Sequence, residues 1–122
     1  MNDPNCIFCK IARGEIAAQK IHDDEDVMAF HDIRPQAPVH FLIVPKAHIA
    51  TLYEAQPGHT QALGKMLAIA GRLAREAGAG EGFRTIVNTG RVGHQEVYHV
   101  HMHVLGGPEP LGPMLQRRGP RS

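Results

Sequence analysis

Tryptophan is absent from this sequence, tyrosine occurs twice, and cysteine occurs only as Cys6 and Cys9. Two cysteines are too few for the disulfide framework of a small secreted protein, so a reducing, cytoplasmic location is expected. No apolar run is long enough to predict a membrane span, and no secretion signal is predicted after Met1. An excess of charge of one sign is also missing, because 13 basic and 12 acidic residues leave a net charge of +1. Binding to nucleic acid or to a membrane surface is therefore not expected.

The sequence does contain the elements of one small mixed domain. Its 122 residues suit a single domain over 1–122, with a Gly-, Pro- and Arg-rich tail from about residue 108. An apolar stripe over 57–77 predicts one long helix, and Asn5 is predicted to cap a short helix that ends at Gly14. Strands are predicted at 20–23, 27–31, 40–44, 83–89 and 98–105. Because no long parallel βαβ unit emerges, we expect an α+β domain: a five-stranded antiparallel sheet with the long helix on one face.

Three histidines alternate with apolar residues in the last predicted strand. His99, His101 and His103 are separated by Val100 and Met102, so the three rings are expected on one face of the strand. A lone histidine there would usually be structural, but three rings on one face each need a hydrogen-bonding partner or water. The pattern leaves three interpretations open: a metal site, a nucleophile with helping groups, or a pH sensor. If the strand that begins near His40 pairs with this one, a fourth imidazole joins the cluster.

Cys6 and Cys9 form a C-x-x-C whose spacing suits a zinc site completed by two histidines. The alternative is a reduced cysteine pair packed on the sheet. A redox C-x-x-C is disfavoured, because no thioredoxin-like βαβ context surrounds it.

The sequence segments H-V-H-M-H-V, F-H-D-I-R-P-Q-A-P-V-H and P-L-G-P-M occur together. With them the chain resembles the histidine-triad (HIT) superfamily, in particular its Hint branch of nucleoside phosphoramidases in the bacterial form. The resemblance runs from about Cys6 to Leu115. It implies the HIT fold, and a homodimer in which two sheets join into one of ten strands. It also implies hydrolysis of purine (adenosine or guanosine) 5′-phosphoramidates and of aminoacyl- or lysyl-adenylates through a nucleotidyl-histidine intermediate.

The resemblance also implies roles for individual residues. His101 matches the nucleophile, with His103, His40 and His99 as the other catalytic histidines, and Asp32 matches the carboxylate that binds the ribose hydroxyls. The implied base pocket consists of Phe8, Ile16, Phe30 and Ile33, and the implied phosphate surroundings consist of Asn88, Gln95, Glu96 and His103. Some HIT proteins bind zinc at the positions of Cys6, Cys9, His48 and His99.

Elementary chemistry agrees with this assignment. A neutral imidazole is nucleophilic near pH 7 and leaves readily from phosphorus, so it can divide one hydrolysis into two easier steps. We expect no cofactor in catalysis and one structural zinc. A purely structural role stays open for several residues: Asp32 and Asn88 could be turn formers, and Phe30 could be a core residue. Gln95 has the weakest case for a contact with substrate.

Two other functions compete with the phosphoramidase. One is a dinucleoside polyphosphate hydrolase or nucleotidyl transferase of the same superfamily, and the other is a zinc-stapled interaction module with a vestigial nucleotide pocket. Two departures from the family pattern also matter. His94 stands where the family usually has glycine, and Glu96 stands where eukaryotic members often have serine, which a carboxylate cannot replace as a hydrogen-bond donor unless protonated.

Overall fold

The computed structural model describes residues 3–115, and the part of the predicted tail beyond them lies outside this range. All strands pair antiparallel in one five-stranded sheet of order β1-β2-β3-β5-β4. The predicted α+β class and strand number are therefore confirmed. The elements in chain order are α1 (Ile7–Ala12), β1 (Lys20–Asp23), β2 (Val27–His31), β3 (Val39–Pro45), α2 (Thr60–Ala77), β4 (Phe83–Ile86) and β5 (Met102–Gly106).

The long helix α2 covers one face of the sheet. Its buried residues Met66, Ala70, Leu73 and Ala74 recur at helical spacing and pack on the apolar side of the central strands. A short 3-10 turn at Pro57–His59 precedes α2, so the α-helix begins later than predicted. At the other end Gly78 adopts φ 109° and closes the helix with a left-handed cap. No helix within residues 3–115 is both long and apolar enough to cross a membrane.

The short helix α1 covers part of the opposite face. Phe8 and Ile11 pack there against Phe30, Leu42 and Val44 in a second, smaller core. The predicted cap was one residue early, since Cys6 occupies the N-cap position and its sulfur accepts from the Cys9 amide at 3.5 Å. Because α1 spans only part of this face, the rest of the face is available for a site.

Two strands are shorter than the sequence pattern predicts. The histidine strand was predicted from Tyr98, but β5 begins at Met102, opposite Ile43 of β3. The ladder does not extend further because Pro45, at the end of β3, has no amide hydrogen to donate. The backbone before β5 bonds to a loop instead, where the Val100 amide donates to the Ile49 carbonyl at 2.7 Å. Strand β4 likewise ends at Ile86 rather than at residue 89.

Candidate active site

The three alternating histidines lie on the α1 face of the sheet, as their period predicts. The Phe8 ring on α1 is 5.7 Å from the His99 ring and 5.2 Å from the His101 ring, centroid to centroid. The intervening Val100, Met102 and Val104 are buried in the core under α2. In the following paragraphs the term triad stretch denotes residues 99–103.

His101 is held by the backbone of its own stretch. Its Nδ1 is 2.8 Å from the carbonyl oxygen of His99, and the ring is almost fully buried. A carbonyl only accepts, so Nδ1 must carry the proton and donate it. The other nitrogen, Nε2, then keeps its lone pair and is the nucleophilic atom of a neutral imidazole.

His103 obtains its tautomer from a neighbouring strand. His40 on β3 accepts the Gln36 amide hydrogen at its Nδ1 (2.9 Å), so its Nε2 carries the proton. That Nε2 lies 2.9 Å from Nδ1 of His103 and donates to it. The His103 ring therefore carries its own proton on Nε2, which makes it a hydrogen-bond donor. The predicted fourth imidazole thus joins the cluster and orients His103.

Burial favours the neutral form of His40, His99 and His103. It lowers the pKa of His40 and of His103 below the ordinary 6.5, with the Asp32 carboxylate opposing the effect more weakly at both. Burial also lowers the pKa of His99 to about 4. A charged imidazole would carry a proton on both nitrogens and break the chain of donors and acceptors described above. The burial and the hydrogen bonds therefore favour the same protonation state.

A cavity of about 440 Å³ opens in front of His101 and His103. Its volume falls in the range of small-molecule sites. One part of its wall is apolar and the other part is polar, as expected for a ligand with a flat apolar ring and a charged end. The lining includes ten residues that the sequence singled out: Phe8, Ile16, Phe30, Asp32, Ile33, Asn88, His94, Glu96, His101 and His103.

Asp32 occupies two roles at once. One carboxylate oxygen accepts from the Arg34 amide at 2.7 Å, which is the turn-forming role left open by the sequence. The other oxygen lies 3.5 Å from Nε2 of His40, and the residue also lines the cavity. Phe30 is similarly both buried in the α1-side core and exposed to the cavity.

Gln95 does not belong to the described residues that line the cavity, in contrast to its predicted place near phosphate. Its side chain is buried and bonded to backbone: the amide nitrogen donates to the Ala50 carbonyl at 2.7 Å and the Val97 carbonyl at 3.0 Å. Its side-chain oxygen accepts from the Gly90 amide at 2.9 Å. These bonds support a role in shaping the loop. A polar residue in a Gly-rich loop gives no sequence signal that separates the two roles.

Several cavity residues were not singled out by the sequence. Leu42 lines the cavity from β3 and lies opposite His103 in register. It shares a face with His40, so the same period-two argument that grouped the histidines could have found it. Ile7, Ile11 and the segment 17–19 approach through the packing of α1 and its following loop, which no local pattern predicts.

The four residues of the implied zinc site converge behind the triad stretch. Cys6, Cys9, His48 and His99 offer ligand atoms that all lie within 4.8 Å of one another. Nε2 of His99 lies 2.7 Å from the Pro45 carbonyl and donates to it, so Nδ1 presents a lone pair to the cysteines. Burial raises the pKa of the Cys9 thiol, as expected for a sulfur enclosed in apolar surroundings.

The spacing of these atoms fits a tetrahedral metal. With Zn–S near 2.3 Å and Zn–N near 2.05 Å, a tetrahedron places sulfur and nitrogen ligands about 3.5 Å apart. Sγ of Cys6 is 3.3 Å from Nδ1 of His99, and Sγ of Cys9 is 3.5 Å from Nδ1 of His48 and 3.6 Å from Nδ1 of His99. The donor set of two sulfurs and two imidazoles is also one that zinc prefers.

Comparison with known proteins places these features in a family. The model of the HIT domain matches residues 13–109. The chain is 51% identical to the purine nucleoside phosphoramidase of Escherichia coli K12 over 114 residues, which cover 93% of this chain and 95% of that protein. It is 47% identical to the protein HitA of Neisseria gonorrhoeae over 104 residues, covering 85% and 97%. A HIT family hydrolase from Clostridium thermocellum has a similar structure, with a TM-score of 0.88, 40% identity and coverage of 94% and 100%.

Proposed function

The chain belongs to the HIT domain family, and from that premise we propose that it is a purine nucleoside phosphoramidase. The substrates would be adenosine and guanosine 5′-phosphoramidates, together with aminoacyl- or lysyl-adenylates. The observation that carries the proposal is the protonation pattern of the triad stretch: His101 presents a lone pair and His103 presents a donor, at the polar end of an otherwise apolar cavity. Nucleophilic substitution at phosphorus needs both groups.

The first step transfers the nucleotide to the protein. The base occupies the apolar part of the cavity and the ribose hydroxyls donate to Asp32. Nε2 of His101 then attacks phosphorus, the P–N bond of the substrate breaks, and the amine takes up a proton from solvent as it leaves. His103 donates to a phosphoryl oxygen that gains charge in the transition state. Asn88 and the loop around Glu96 supply further polar groups near the phosphate.

The second step regenerates the histidine. Water attacks phosphorus on the side vacated by the amine and gives up one proton to solvent, and the bond between phosphorus and His101 Nε2 breaks. The electron pair of that bond returns to Nε2. Throughout, Nδ1 keeps its proton and donates it in a hydrogen bond to the carbonyl oxygen of His99. The nucleoside monophosphate leaves with the oxygen of water, and neither step requires a cofactor.

We also propose one structural zinc, held by Cys6, Cys9, His48 and His99. The support is the match of ligand distances to tetrahedral geometry and the hydrogen bond that aims His99. The metal would join α1 to the segment after β3 and to the start of the triad stretch. All four positions would be filled by side chains, so the ion would stabilise the fold and leave no site for water. Free thiolate ligands agree with the cytoplasmic location predicted from the sequence.

A homodimer with a ten-stranded sheet is proposed through the β4 edge. The sheet has two edge strands, β1 and β4. The β1 edge is polar and its register shifts between Lys20 and His22, features that discourage strand pairing. Strand β4 pairs regularly and exposes the apolar Phe83. Two copies related by a two-fold axis could pair β4 with β4, and the whole chain, 1–122, would form one HIT domain in each subunit.

The experiment that tests the function is turnover of a fluorogenic adenosine phosphoramidate. We expect steady hydrolysis, similar turnover of the guanosine analogue, and far slower cleavage of a dinucleoside polyphosphate. Cleavage of the polyphosphate alone would assign the protein to the hydrolase or transferase alternative. Absence of any turnover, with tight nucleotide binding retained, would favour the interaction module.

A further inference from the structure

The loop before the triad stretch contains one residue with an unusual backbone conformation. His94 has φ 62° and is the single non-glycine residue with positive φ among those described. Histidine adopts this conformation more often than most residues, but it still has a conformational cost that glycine would avoid. Such residues persist where the surroundings hold them, and they concentrate at binding and catalytic sites.

The surrounding loop imposes this conformation. The Gly93 amide donates to the Thr89 carbonyl at 3.2 Å, and the Gln95 amide donates to the Gly90 carbonyl at 3.0 Å. A Cβ at position 93 would lie 2.5 Å from the Thr89 oxygen, so the close turn requires glycine there. The buried Gln95 side chain fixes the other end of the loop. His94 is thus held between two fixed neighbours, with its side chain turned outward.

That side chain lies at the rim of the cavity beside a carboxylate. His94 and Glu96 both line the cavity, and their side chains are 86% and 79% exposed. Nε2 of His94 is 3.4 Å from a carboxylate oxygen of Glu96. Glu96 also acts on the reactive end, because its charge weakly opposes the burial that lowers the pKa of His103. The pair therefore lies on the solvent-exposed side of the cavity that also contains His101 and His103.

The leaving group must pass this rim. In an in-line displacement the leaving atom lies on the opposite side of phosphorus from the attacking nitrogen. His101 attacks from inside the protein, and the apolar wall is taken by the base, which leaves the polar rim for the departing amine. Among the described residues that line the cavity, the acids are Asp32 and Glu96, and there is no lysine or arginine. Nε2 of His94 faces the Glu96 carboxylate, so the ring limits where that carboxylate can lie at the rim.

We propose that His94, together with Glu96, determines specificity for the leaving group and favours phosphoramidates whose amine carries a second, positively charged nitrogen. This inference rests on the proposed function of the same cavity. The Glu96 carboxylate offers acceptors to the departing group, and the neighbouring His94 ring positions that carboxylate at the rim. An anionic or purely apolar amine gains nothing from them. This role needs a side chain at position 94, which glycine lacks, although glycine would adopt the positive φ at lower cost.

A matched substrate pair tests the inference. The N-aminopropyl and N-butyl phosphoramidates of adenosine have leaving amines of equal length, and only the first carries an ammonium group. In low-salt buffer we expect the wild-type kcat/KM to favour the aminopropyl compound by about threefold to fivefold, the upper range for one solvent-exposed ion pair. The ratio is taken within one protein, so a general loss of activity in a variant cancels.

His94→Ala and His94→Gly should each reduce this preference to less than half, and Glu96→Gln should do the same. His94→Gly should melt above His94→Ala, because only glycine relieves the positive φ. Glu25→Gln, which removes an exposed carboxylate from the β1–β2 turn, should leave the ratio unchanged. A purely structural His94 would change the melting temperature and not the ratio, which would overturn the inference.

The Kd values of both compounds for His101→Asn measure the same ratio without turnover. Hydrolysis of both compounds with no preference would refute the role of His94 and leave the phosphoramidase standing. If wild type hydrolysed neither compound but bound the ammonium compound more tightly in a way that depends on His94, the phosphoramidase activity would be refuted. The role of His94 and Glu96 in recognising the amine would stand. If the two compounds bound equally or not at all, the role of His94 and Glu96 in recognising the amine would be refuted as well.

Discussion

For single residues, the position of each imidazole proton decides what the cavity can do. Two carbonyl acceptors, from His99 and Pro45, and one amide donor, from Gln36, fix the tautomers of four rings. None of these partners is itself a catalytic side chain. Activity is therefore predicted to depend on the backbone around the triad stretch as much as on the imidazole rings.

Asp32 is predicted to select ribonucleotides. A carboxylate that accepts from two hydroxyls loses one partner with a deoxyribose, and such a loss is worth roughly 1–3 kcal/mol, or about fivefold to 150-fold in kcat/KM. Wild type should therefore prefer the adenosine phosphoramidate over its 2′-deoxy analogue, and Asp32→Ala should lose most of this preference. The two rates measured on each protein give the answer. Equal discrimination by both proteins would remove Asp32 from the ribose site.

His40 and His103 should make stability depend on pH. Burial lowers both pKa values below 6.5, so the unfolded chain binds more protons than the folded one in acid. Their contribution is fully present above pH 6.5 and is lost as pH falls below it, at no more than about 1.4 kcal/mol per pH unit for each group. Urea unfolding of wild type at pH 7.5 and 5.5 should show the loss, and His40→Leu should show a smaller one.

The control for this experiment is His59→Leu. His59 also accepts a backbone amide at its Nδ1, from Gln56 at 3.0 Å, but it lies in an exposed turn before α2. Its removal should leave the pH dependence as in wild type. If His40→Leu and His59→Leu had the same pH dependence, burial of His40 would not be its source.

The sequence predicted side-chain faces well and side-chain partners poorly. The alternation of side chains along a strand placed His99, His101 and His103 on one face, because the pleat of an extended chain depends only on local geometry. The contact of His40 with His103 was foreseen only conditionally, since it depends on which strands are neighbours. The burial of Gln95 against Ala50 was not foreseen, because it joins residues far apart in the chain.

For the secondary-structure elements, the point of interest is the link between α1 and the sheet. The helix has six residues, too few to be stable alone, and it packs on the sheet through the apolar side chains of Phe8 and Ile11. The cluster of Cys6, Cys9, His48 and His99 connects three separate segments at this point. A metal there would supply the cross-link that the short helix lacks.

Cys6→Ser should release zinc and lower the melting temperature. Serine is similar in size and can cap the helix with its hydroxyl oxygen in place of the sulfur, but it is a poor zinc ligand, so the change isolates metal binding from packing. Protein purified without chelator should contain about one zinc per chain by elemental analysis, and the variant should contain much less. His22→Gln, at a histidine outside the cluster, should keep its metal. If wild type contained no metal and its melting temperature did not change with chelator, the zinc site would be refuted. The two cysteines would then be a reduced pair packed on the sheet.

Element boundaries were the least predictable feature. Strand β5 is shorter than the histidine pattern suggests because Pro45 cannot donate to the ladder, although the side chains keep alternating beyond it. The sequence contained this proline, but its effect depends on the register between β3 and β5. The end of α2 at Ala77, in contrast, was predicted correctly from local rules, and Gly78 caps it there in the left-handed conformation.

For the whole molecule, the order of elements predicted an antiparallel sheet of five strands, and it did not predict the assembly. A single α2 covers one face, and hairpin and crossover connections leave β1 and β4 as edges. Nothing in the local pattern states whether an edge is paired. The exposed Phe83 on β4 and the exposed Leu67 on α2 provide the physical reason for the proposed dimer.

Phe83→Glu should convert the dimer into a monomer. A carboxylate at each copy of position 83 would meet its own symmetry mate or enter an apolar interface, and either is unfavourable. Size-exclusion chromatography with light scattering measures the mass directly. Tyr53→Glu is the matched control, an exposed aromatic outside the sheet, and it should stay dimeric. A wild type that runs as a monomer at micromolar concentration would contradict the ten-stranded sheet.

The central claim is that Nε2 of His101 bonds to phosphorus during turnover. Rapid acid-free quenching of wild type with a slowly hydrolysed adenosine phosphoramidate, followed by proteolysis and mass spectrometry, can locate the nucleotide on the peptide. We predict an adenylate on His101 that forms and decays at rates consistent with kcat. His101→Asn should show no adduct and a kcat lower by several orders of magnitude. An adduct on another residue, or a His101→Asn variant that retains a tenth of wild-type kcat, would contradict the account.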